Sequence, residues 1–503
     1  MSSSPRTSIS SVDLTLTGPA KLEEVTRLMG KLTADLEKIS LLPHQRDALL
    51  EQVKVFGRDP ANADPIFTKE AGHIPYYICR ANHSQGIETL TRHAFNSPSL
   101  TTSRNALRCL ANALLLRAET RQIFVDLGYE QKACNKLKND SRDDEFLVSR
   151  IIFLTTYNSN VNLEKLVDQY HLAEYICQNV SRHSKQYVTK QKKVKELDPM
   201  EDMALIETTK LMFNTTHHCP QRIGNFSPAV QPMLILLTRR AISSSKPLEQ
   251  PIGSLVNALM NLALEEKDNV ATLFPKSTPN VNVDRLMEIL EKSVKAYKDE
   301  ELEQNVSPLI QLIRKVYELA PKDVQTHLQR ILLPSEEDRK QILGRAETLS
   351  SRLLRLTNNA TTPKVRELIS SLLFDLSAKD PKIFIQNVGY GFASGFLFQH
   401  NVPIPENALE AWSTSSESSH TRASQDSRDI PGRVNPITGQ LLDMEETPEV
   451  EEMTEEEKER EAEKLFVLFE RLKKTGVMSV QNPVEKAFHE GRFEELPDDD
   501  DEK

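Results

Sequence analysis

Four stretches of this 503-residue chain carry polar side chains at spacings of three and four residues, which places each set on one side of a helix. The sets are Glu51/Lys54/Arg58, Asn105/Arg108/Asn112, Glu207/Lys210/Asn214 and Ser254/Asn257/Asn261. Asparagine both donates and accepts hydrogen bonds, so it can bind a peptide backbone in either direction. If the four helices are neighbours, these side chains form a ladder that suits a peptide ligand. The same spacing also describes the solvent-exposed side of any amphipathic helix, and both interpretations stay open.

Five cations would make such a ladder basic: Lys54, Arg58, Arg108, Arg150 and Lys210. A basic groove favours a peptide that ends in a carboxylate.

The sequence contains no motif for covalent catalysis. It has no phosphate-binding loop, no zinc-binding helix and no nucleophile elbow. His217, His218 and Cys219 are adjacent, so they cannot converge on one metal ion from a regular helix. Gly389 and Gly391 follow no strand, and we predict a turn between helices there. We therefore expect no metal, no cofactor and no enzymatic bond chemistry.

Helical periodicity dominates the chain. Apolar side chains recur at helical spacing in strong segments near residues 54, 110, 152, 210, 258, 312 and 370. Intervals of this size are typical of armadillo or HEAT units, which repeat every ~40–47 residues. We predict an all-α fold, an armadillo/HEAT-like right-handed superhelical repeat with a partly flexible C-terminal extension. An irregular all-α bundle is the alternative, but it would need an unusually large single core.

Composition suggests where the domains begin and end. We expect a flexible N-terminus at 1–20, the helical repeat domain at 21–403 and a Ser/Thr-rich linker at 404–433. A C-terminal motif with a capped helix follows at 434–480, and an acidic tail at 481–503. Residues 443–503 hold 22 acidic and 9 basic side chains, a net charge of −13, so the rest of the chain carries +3 and the total is −10.

Several classes of protein are disfavoured. The sequence shows no secretory signal, no run of ~18 apolar residues and only five widely spaced cysteines. We expect a monomeric cytoplasmic protein without a transmembrane segment, and transient membrane association is left open. The Lys-rich segment 182–195 precedes a cluster of acids, so we predict a solvated loop rather than a nucleic-acid site.

Seven stretches, in order along the chain, are similar to the synembryn family. They are NALRCLANALLL (105–116), EFLVSRIIFLT (145–155), ETTKLMFNT (207–215), LVNALMNL (255–262), FDLSAKDPKIFIQNVGYGFASG (374–395), VNPITG (434–439) and MTEEEKEREAEKL (453–465). The three C-terminal stretches are the most specific of the set.

This resemblance implies a guanine-nucleotide exchange factor and folding chaperone for G-protein α subunits. It implies binding of the GDP-bound or nucleotide-free α subunit by its C-terminal helix, and release when GTP binds. The resemblance places Lys54, Arg58, Asn112, Arg150, Phe153, Lys210, Asn214, Asn257 and Asn261 in the family's groove, with Lys54 where an arginine is expected. The helical spacing adds Asn105 and Arg108 to this candidate site.

The resemblance also extends to the C-terminal motif, through Asn435, Pro436, Thr438, Gly439 and the helix-capping Thr454. Thr414, with Glu417 three residues later, is the candidate phosphorylation site in the linker. A non-catalytic helical-repeat adaptor that binds peptides is the alternative function.

Overall fold

The computed structural model describes residues 15–68, 86–189, 198–403, 434–435 and 437–445, together with Arg460 and Lys464. α-Helices dominate this part of the chain, and its only β pairing is an isolated bridge between Val434 and Leu441. None of the helices in these residues is long and apolar enough to cross a membrane. The predicted all-α class is confirmed.

The described residues form these α-helices: α1 Gly18–Lys38, α2 Pro43–Phe56, α3 Asp64–Phe67, α4 Gly86–Asn96, α5 Leu100–Leu116, α6 Glu119–Asp126, α7 Glu130–Lys136, α8 Arg142–Thr155, α9 Leu163–Asp168, α10 Leu172–Thr189, α11 Pro199–His218, α12 Val230–Arg239, α13 Ile252–Asn261, α14 Lys267–Leu273, α15 Val281–Ala296, α16 Asp299–Asn305, α17 Ser307–Leu319, α18 Lys322–Leu332, α19 Leu349–Thr357, α20 Pro363–Leu376, α21 Pro381–Val388 and α22 Tyr390–Gln399. Short 3₁₀ helices cover Pro220–Ala229, Asp338–Lys340 and Leu442–Met444.

Seven of these helices form a continuous row in which each packs on the next: α2, α5, α8, α11, α13, α17 and α20. They are the seven helices that apolar periodicity predicts. A second row, α10, α12, α15 and α19, packs in order behind it, and its members contact α11, α13, α17 and α20 respectively. This stacking of helix pairs along the chain confirms the predicted helical repeat, in which each unit packs on its neighbours.

Apolar stripes hold the rows together. In α5, Leu107, Leu110 and Leu114 are fully buried. Leu115 lies eight residues after Leu107, where helical apolar spacing also predicts burial, but it is 45% exposed. The apolar core therefore lies on a narrower side of α5 than the sequence pattern suggests, and the polar side is correspondingly wider.

Side-chain caps fix where the ladder helices begin. Ser99 accepts a hydrogen bond from the backbone N–H of Thr102 at the start of α5, and Ser141 accepts one from Asp144 at the start of α8. Asp198 accepts from the Met200 N–H before α11, whose first residue is Pro199. Such caps satisfy backbone donors that a helix leaves free.

The Lys-rich segment differs from its prediction as a solvated loop. Its first part continues α10 as far as Thr189, because Arg182 and His183 make long-range ion pairs from this helix. Arg182 pairs with Glu145 of α8 and, 3.3 Å away, with the exposed Asp140. The residues 190–197 lie outside the described part of the chain.

A buried network of charges joins α8, α10 and α11. The fully buried His183 of α10 lies between Glu145 of α8, with Nε2–Oε1 at 3.0 Å, and Glu201 of α11, with Nδ1–Oε1 at 2.5 Å. Because both ring nitrogens face carboxylates, both donate, and the imidazole is a cation. Thr208 of α11 also donates to Glu145 Oε1, at 2.6 Å. Arg142 pairs with the other oxygen of Glu201.

The network shifts the pKa values of its members in opposite directions. Burial alone lowers the pKa of His183, but the hydrogen bonds to Glu145 and Glu201 outweigh it, so this pKa lies above its ordinary 6.5. Burial raises the pKa of Glu145, but hydrogen bonds from His183 and Thr208 bring it below its ordinary 4.5. The pKa of Glu201 is lowered in the same way.

The motif at 434–441 belongs to the same compact unit as the helical repeat, which extends over Met1–Leu441. The buried Arg339 donates to the carbonyl of Gly439 at 2.9 Å, and to the carbonyls of Gln386 and Asn387 at the end of α21. The Leu441 N–H donates to the Arg339 carbonyl at 2.9 Å. This single arginine therefore joins the motif to the last helices of the repeat.

Glycines allow the motif to approach the repeat closely. Gly389 has φ +81, and a Cβ there would lie 3.1 Å from the Ile437 carbonyl oxygen. Gly439 has φ +68, and its Cβ would lie 2.3 Å from Leu343 Cδ1. The Gly391 N–H donates to the Ile437 carbonyl at 3.2 Å. The predicted turn between helices is confirmed at Gly389, whereas Gly391 lies in the first turn of α22, and the 434–439 motif contacts both.

We predict that His183→Gln destabilises the protein by about 3 kcal/mol at pH 6, because two buried carboxylates lose their shared cation. Since the native pKa of His183 is raised, its contribution is complete below pH 6.5 and is lost as pH rises through that native value. The lowered carboxylate pKa values make the contribution fade below pH 4.5. Urea unfolding at several pH values measures the difference, with the exposed His44→Gln as control. A pH-independent difference would contradict the charged network.

We predict that Gly439→Ala destabilises the docked motif by about 1–3 kcal/mol, because of its positive φ and the contact with Leu343. Gly395→Ala is the control, since its Cβ would meet nothing within 4 Å. Thermal unfolding and amide hydrogen exchange at Leu441 measure the effect. Equal protection of Leu441 in both variants would show that the motif does not depend on this close approach.

Candidate functional site

The most developed polar surface on the row of ladder helices lies between α8 and α11, and we call it the α8–α11 strip. Its side chains are Phe146, Arg150, Phe153, Tyr157, Glu207, Lys210, Phe213 and Asn214. The first four follow one another at spacings of four, three and four residues, so they share one side of α8 and its C-terminal extension. This side faces the polar side of the neighbouring α11.

Aromatic rings support the cations of the strip. The guanidinium carbon of Arg150 lies 5.8 Å from the Phe146 ring centroid, and Lys210 Nζ lies 4.7 Å from that of Phe153. Tyr157 packs edge-on against Phe153, with centroids 5.4 Å apart. The strip therefore offers half-buried aromatic surface and fixed positive charge side by side.

One carboxylate sits between the two cations of the strip. Glu207 Oε1 accepts a hydrogen bond from Lys210 Nζ at 2.9 Å and lies 3.7 Å from Arg150 Nη1. Oε2 of Glu207 is buried and has no hydrogen-bond partner within the described ranges. Arg150 and Lys210 remain 29% and 36% exposed. Two cations share one acid here, so a second carboxylate from a ligand can be accommodated.

Asn214 closes one end of the strip. It is buried and donates to Thr156 Oγ1 at 2.7 Å, while its amide oxygen lies 3.4 Å from the Tyr157 hydroxyl. These contacts join α11 to the residues just after α8. The role of Asn214 in this structure is therefore to hold Tyr157 and the end of α8 in place.

The α13 side chains lie beside α11. Asn261 lies with its Nδ2 3.4 Å from the Phe213 carbonyl oxygen. Asn257 is half-buried and makes no side-chain hydrogen bond within the described residues. Phe213 also stacks on His217, with centroids 6.2 Å apart and ring planes 3° from parallel. The strip therefore continues from α11 onto α13.

The α5 side chains continue the ladder in the other direction. Arg108 donates to Asn105 Oδ1 at 3.0 Å and to Asp143 of α8 at 3.2 Å. Asn105 is buried, so it has little surface for contact with a ligand, and its main role is to orient Arg108. Asn112 is half-buried and makes no side-chain hydrogen bond in the described part of the chain.

The α2 set is less regular than its spacing suggests. Lys54 pairs with Glu51 within the helix. Arg58 lies beyond the end of α2 at Phe56, in the turn that Gly57 begins. Arg58 is exposed and makes no ion pair with the described residues. These two cations therefore do not share one helical side.

The structure makes the ladder less basic than its list of cations predicts. Lys54, Arg108, Arg150 and Lys210 each contact an acid, namely Glu51, Asp143 and the shared Glu207. The Lys54–Glu51 and Arg108–Asp143 pairs lie at the surface and contribute little to stability, so a ligand can displace them at small cost, whereas the buried Glu207 must keep one of its two cations. An anionic peptide must therefore gain its affinity by replacing the acids that these cations already contact, and not from unpaired cations alone.

Sequence reasoning missed Phe146, Tyr157 and Phe213 as parts of the strip. The spacing of Phe146 and Tyr157 from Arg150 and Phe153 was the available signal.

Of the C-terminal motif, Asn435, Thr438 and Gly439 lie in the turn, where Asn435 Oδ1 accepts a hydrogen bond from the Ile437 N–H at 2.8 Å. Pro436, Thr454 and Thr414 lie outside the described residues.

Three curated relatives show the extent of similarity. The chain is 25% identical to "Chaperone Ric-8A" of Macaca fascicularis over 91% of this chain and 86% of that protein. It is 26% identical to the Danio rerio protein of the same name, with the same coverage. It is 28% identical to "Synembryn-like chaperone C3E7.04c" of Schizosaccharomyces pombe, over 47% of this chain and 45% of that protein.

A family match covers nearly the whole chain. Residues 49–492 match the family described as "Guanine nucleotide exchange factor synembryn", and this range includes α5, α8, α11 and α13 with their ladder side chains as well as the 434–439 motif. The chain belongs to the synembryn family of guanine nucleotide exchange factors.

Proposed function

We propose that this protein is a guanine-nucleotide exchange factor and folding chaperone for G-protein α subunits. It binds the GDP-bound or nucleotide-free α subunit by its C-terminal helix and releases it when GTP binds. Membership of the synembryn family supports the class of activity. The α8–α11 strip is the observation that carries the proposal, because it combines aromatic surface with two cations that share one acid.

The strip suits an amphipathic helix that carries a carboxylate. Phe146, Phe153 and Phe213 are half-buried, so they offer apolar surface without being part of the closed core. An amphipathic ligand helix places its apolar side on such a groove, with anchors one turn apart. A ligand carboxylate would replace Glu207 as the partner of Arg150, whose planar guanidinium favours two-point contact.

The flanking ladder side chains extend this contact. Arg108 and Asn112 on α5 lie on one side of the strip, and Asn257 and Asn261 on α13 lie on the other. Asn112 and Asn257 make no side-chain hydrogen bond within the described residues, so they are free to bind peptide backbone groups. Lys54 and Arg58 would meet the most distant part of the ligand, and Asn105 would orient Arg108.

Exchange then needs no catalytic side chain. An α subunit with bound nucleotide keeps its C-terminal helix on its own GTPase core, and a partner that binds the detached helix shifts the population toward an open form with low nucleotide affinity. About 5.5 kcal/mol of differential affinity shifts a 1:99 population to 99:1. The same preference protects a nucleotide-free, loosely folded α subunit, which is the chaperone activity. We propose that this acts in the cytoplasm, through a monomer without a cofactor.

A peptide-binding adaptor without exchange activity is the second candidate. The strip alone fits both candidates, because a helix groove binds peptides whether or not exchange follows. The docked 434–441 motif favours the exchange factor, since Arg339 and Gly439 join a further element to the end of the repeat. Such an element is not needed for peptide capture.

We predict that the purified protein accelerates GDP release from at least one G-protein α subunit by about tenfold or more at micromolar concentration. This follows from the shift in population that binding of the C-terminal helix produces. Release of a fluorescent GDP analogue measures the rate, with an α subunit lacking its C-terminal helix as control. Unchanged release across all classes of folded α subunit would leave only the adaptor.

We predict that Arg150→Gln weakens binding of a G-protein α C-terminal peptide by about tenfold, which is about 1.4 kcal/mol. The variant loses the guanidinium that would bind a ligand carboxylate through two nitrogens, but Glu207 stays paired with Lys210. Asn214→Ala should also weaken binding, since Tyr157 loses its partner. Fluorescence polarisation measures affinity, and Arg92→Gln, another half-exposed arginine with a glutamate partner, is the control. If Arg150→Gln and Arg92→Gln bind alike, the peptide does not use the strip.

A further inference from the structure

A cavity of about 350 Å³ lies where α12 ends and α13 begins, away from the residues of the α8–α11 strip. Tyr187 of α10, Asp202 of α11 and the loop after α12 line it, and Arg239, Arg240 and Lys246 are its cations. Its volume is in the range of sites for small ligands. No residue of this cavity belongs to the proposed peptide site.

Arg240 is the unusual member of this lining. Its side chain is only 5% exposed, and Nη1 donates to Asp202 Oδ1 at 2.7 Å. Its Nε and Nη2 are buried and have no hydrogen-bond partner among the residues that the structure describes. A buried donor without an acceptor costs about 1–3 kcal/mol, and more when it is charged. This guanidinium therefore lacks an acceptor on two of its three nitrogens.

The surroundings hold Arg240 in place. Its guanidinium carbon lies 5.6 Å from the Tyr187 ring centroid, and its own backbone carbonyl accepts from Arg285 of α15. The Tyr187 hydroxyl is also buried and has no hydrogen-bond partner in the described part of the chain. Burial raises the pKa of Tyr187, so this hydroxyl keeps its proton and remains a donor. Tyr187 of α10 and Arg240, just after α12, therefore both line the cavity and both carry buried donors without an acceptor among the described residues.

The rim of the cavity adds further positive charge. Arg239 and Lys246 are exposed, and neither side chain contacts an acid among the described residues. Glu249, also exposed, is the acid at the rim, and it too lacks an ion-pair partner in the described residues. Asp202 is already paired with Arg240, so the two rim cations face one rim acid and the lining keeps one excess positive charge. The N-terminus of α13, which begins at Ile252, adds the positive end of a helix dipole.

We propose that this cavity binds a phosphate group, either inorganic phosphate or the phosphate of a small phosphomonoester. A phosphate offers several acceptor oxygens to donors that approach from different directions, and arginine binds it through two nitrogens. A metal cation is disfavoured by Arg239, Arg240 and Lys246. A single water would satisfy one buried donor but would leave the rim cations without an anion. The proposal is independent of the α-subunit function.

Isothermal titration calorimetry of the full-length protein with inorganic phosphate, at constant ionic strength in chloride, tests the proposal. We expect saturable binding of one phosphate. Arg239→Gln/Lys246→Gln should weaken it by about tenfold or more, because two charge-assisted contacts are lost. Both side chains are exposed, so the variant should keep its fold. The control Lys276→Gln/Lys322→Gln removes the same charge from exposed positions elsewhere and should bind as the wild type does.

Glu249→Gln provides a test in the opposite direction. Removing this rim carboxylate should tighten phosphate binding several-fold, since it repels the anion. Glycerol 3-phosphate and phosphatidylcholine vesicles containing phosphatidic acid distinguish the sources. If glycerol 3-phosphate binds as tightly as inorganic phosphate or more tightly, the ligand is a soluble phosphomonoester. If only the vesicles bind, and the rim variant loses that binding, the ligand is a lipid headgroup. No saturable binding in any arm, or equal binding by the rim variant and its control, would overturn the proposal.

Discussion

The packing of α8 on α11 depends on a buried cation, and the proposed binding surface depends on that packing. His183 places its positive charge between Glu145 and Glu201 in the second layer of helices. Removing the cation would leave two buried carboxylates, which is far more costly than loss of an exposed ion pair. The network therefore fixes the spacing of the two helices on which Arg150 and Lys210 stand.

On the opposite side of the same helix pair, the electrostatics are arranged differently. The buried Glu207 is shared by two half-exposed cations, Arg150 and Lys210, so one of them can turn to a ligand while the other still neutralises Glu207. The interior network holds the helices rigidly, while the surface pairs can exchange partners with a ligand. A binding surface on rigid helices with replaceable surface contacts loses little conformational entropy on binding.

The helices of the row could be predicted because each carries a long apolar stripe, as Val306, Leu309 and Ile313 do around α17. The spacing of Lys210 and Asn214 likewise placed them correctly on α11. Contacts between distant residues could not be predicted: Arg150 meets Glu207 across two helices, and Arg339 meets Gly439 across 100 residues. Periodicity reports which side of a helix is buried, but it does not report which helix lies opposite. For the same reason the extension of α10 through His183, whose partners lie on α8 and α11, was missed.

We propose that occupation of the α8–α11 strip by the C-terminal helix of a G-protein α subunit drives nucleotide exchange. The most direct measurement is GDP release from an α subunit while the free C-terminal peptide is titrated as a competitor. With the α subunit kept far below its own dissociation constant, the account predicts that the peptide abolishes accelerated release with a midpoint equal to the peptide's dissociation constant, and that Arg150→Gln shifts both values together. Accelerated release that persists when the strip is saturated with peptide would contradict the account.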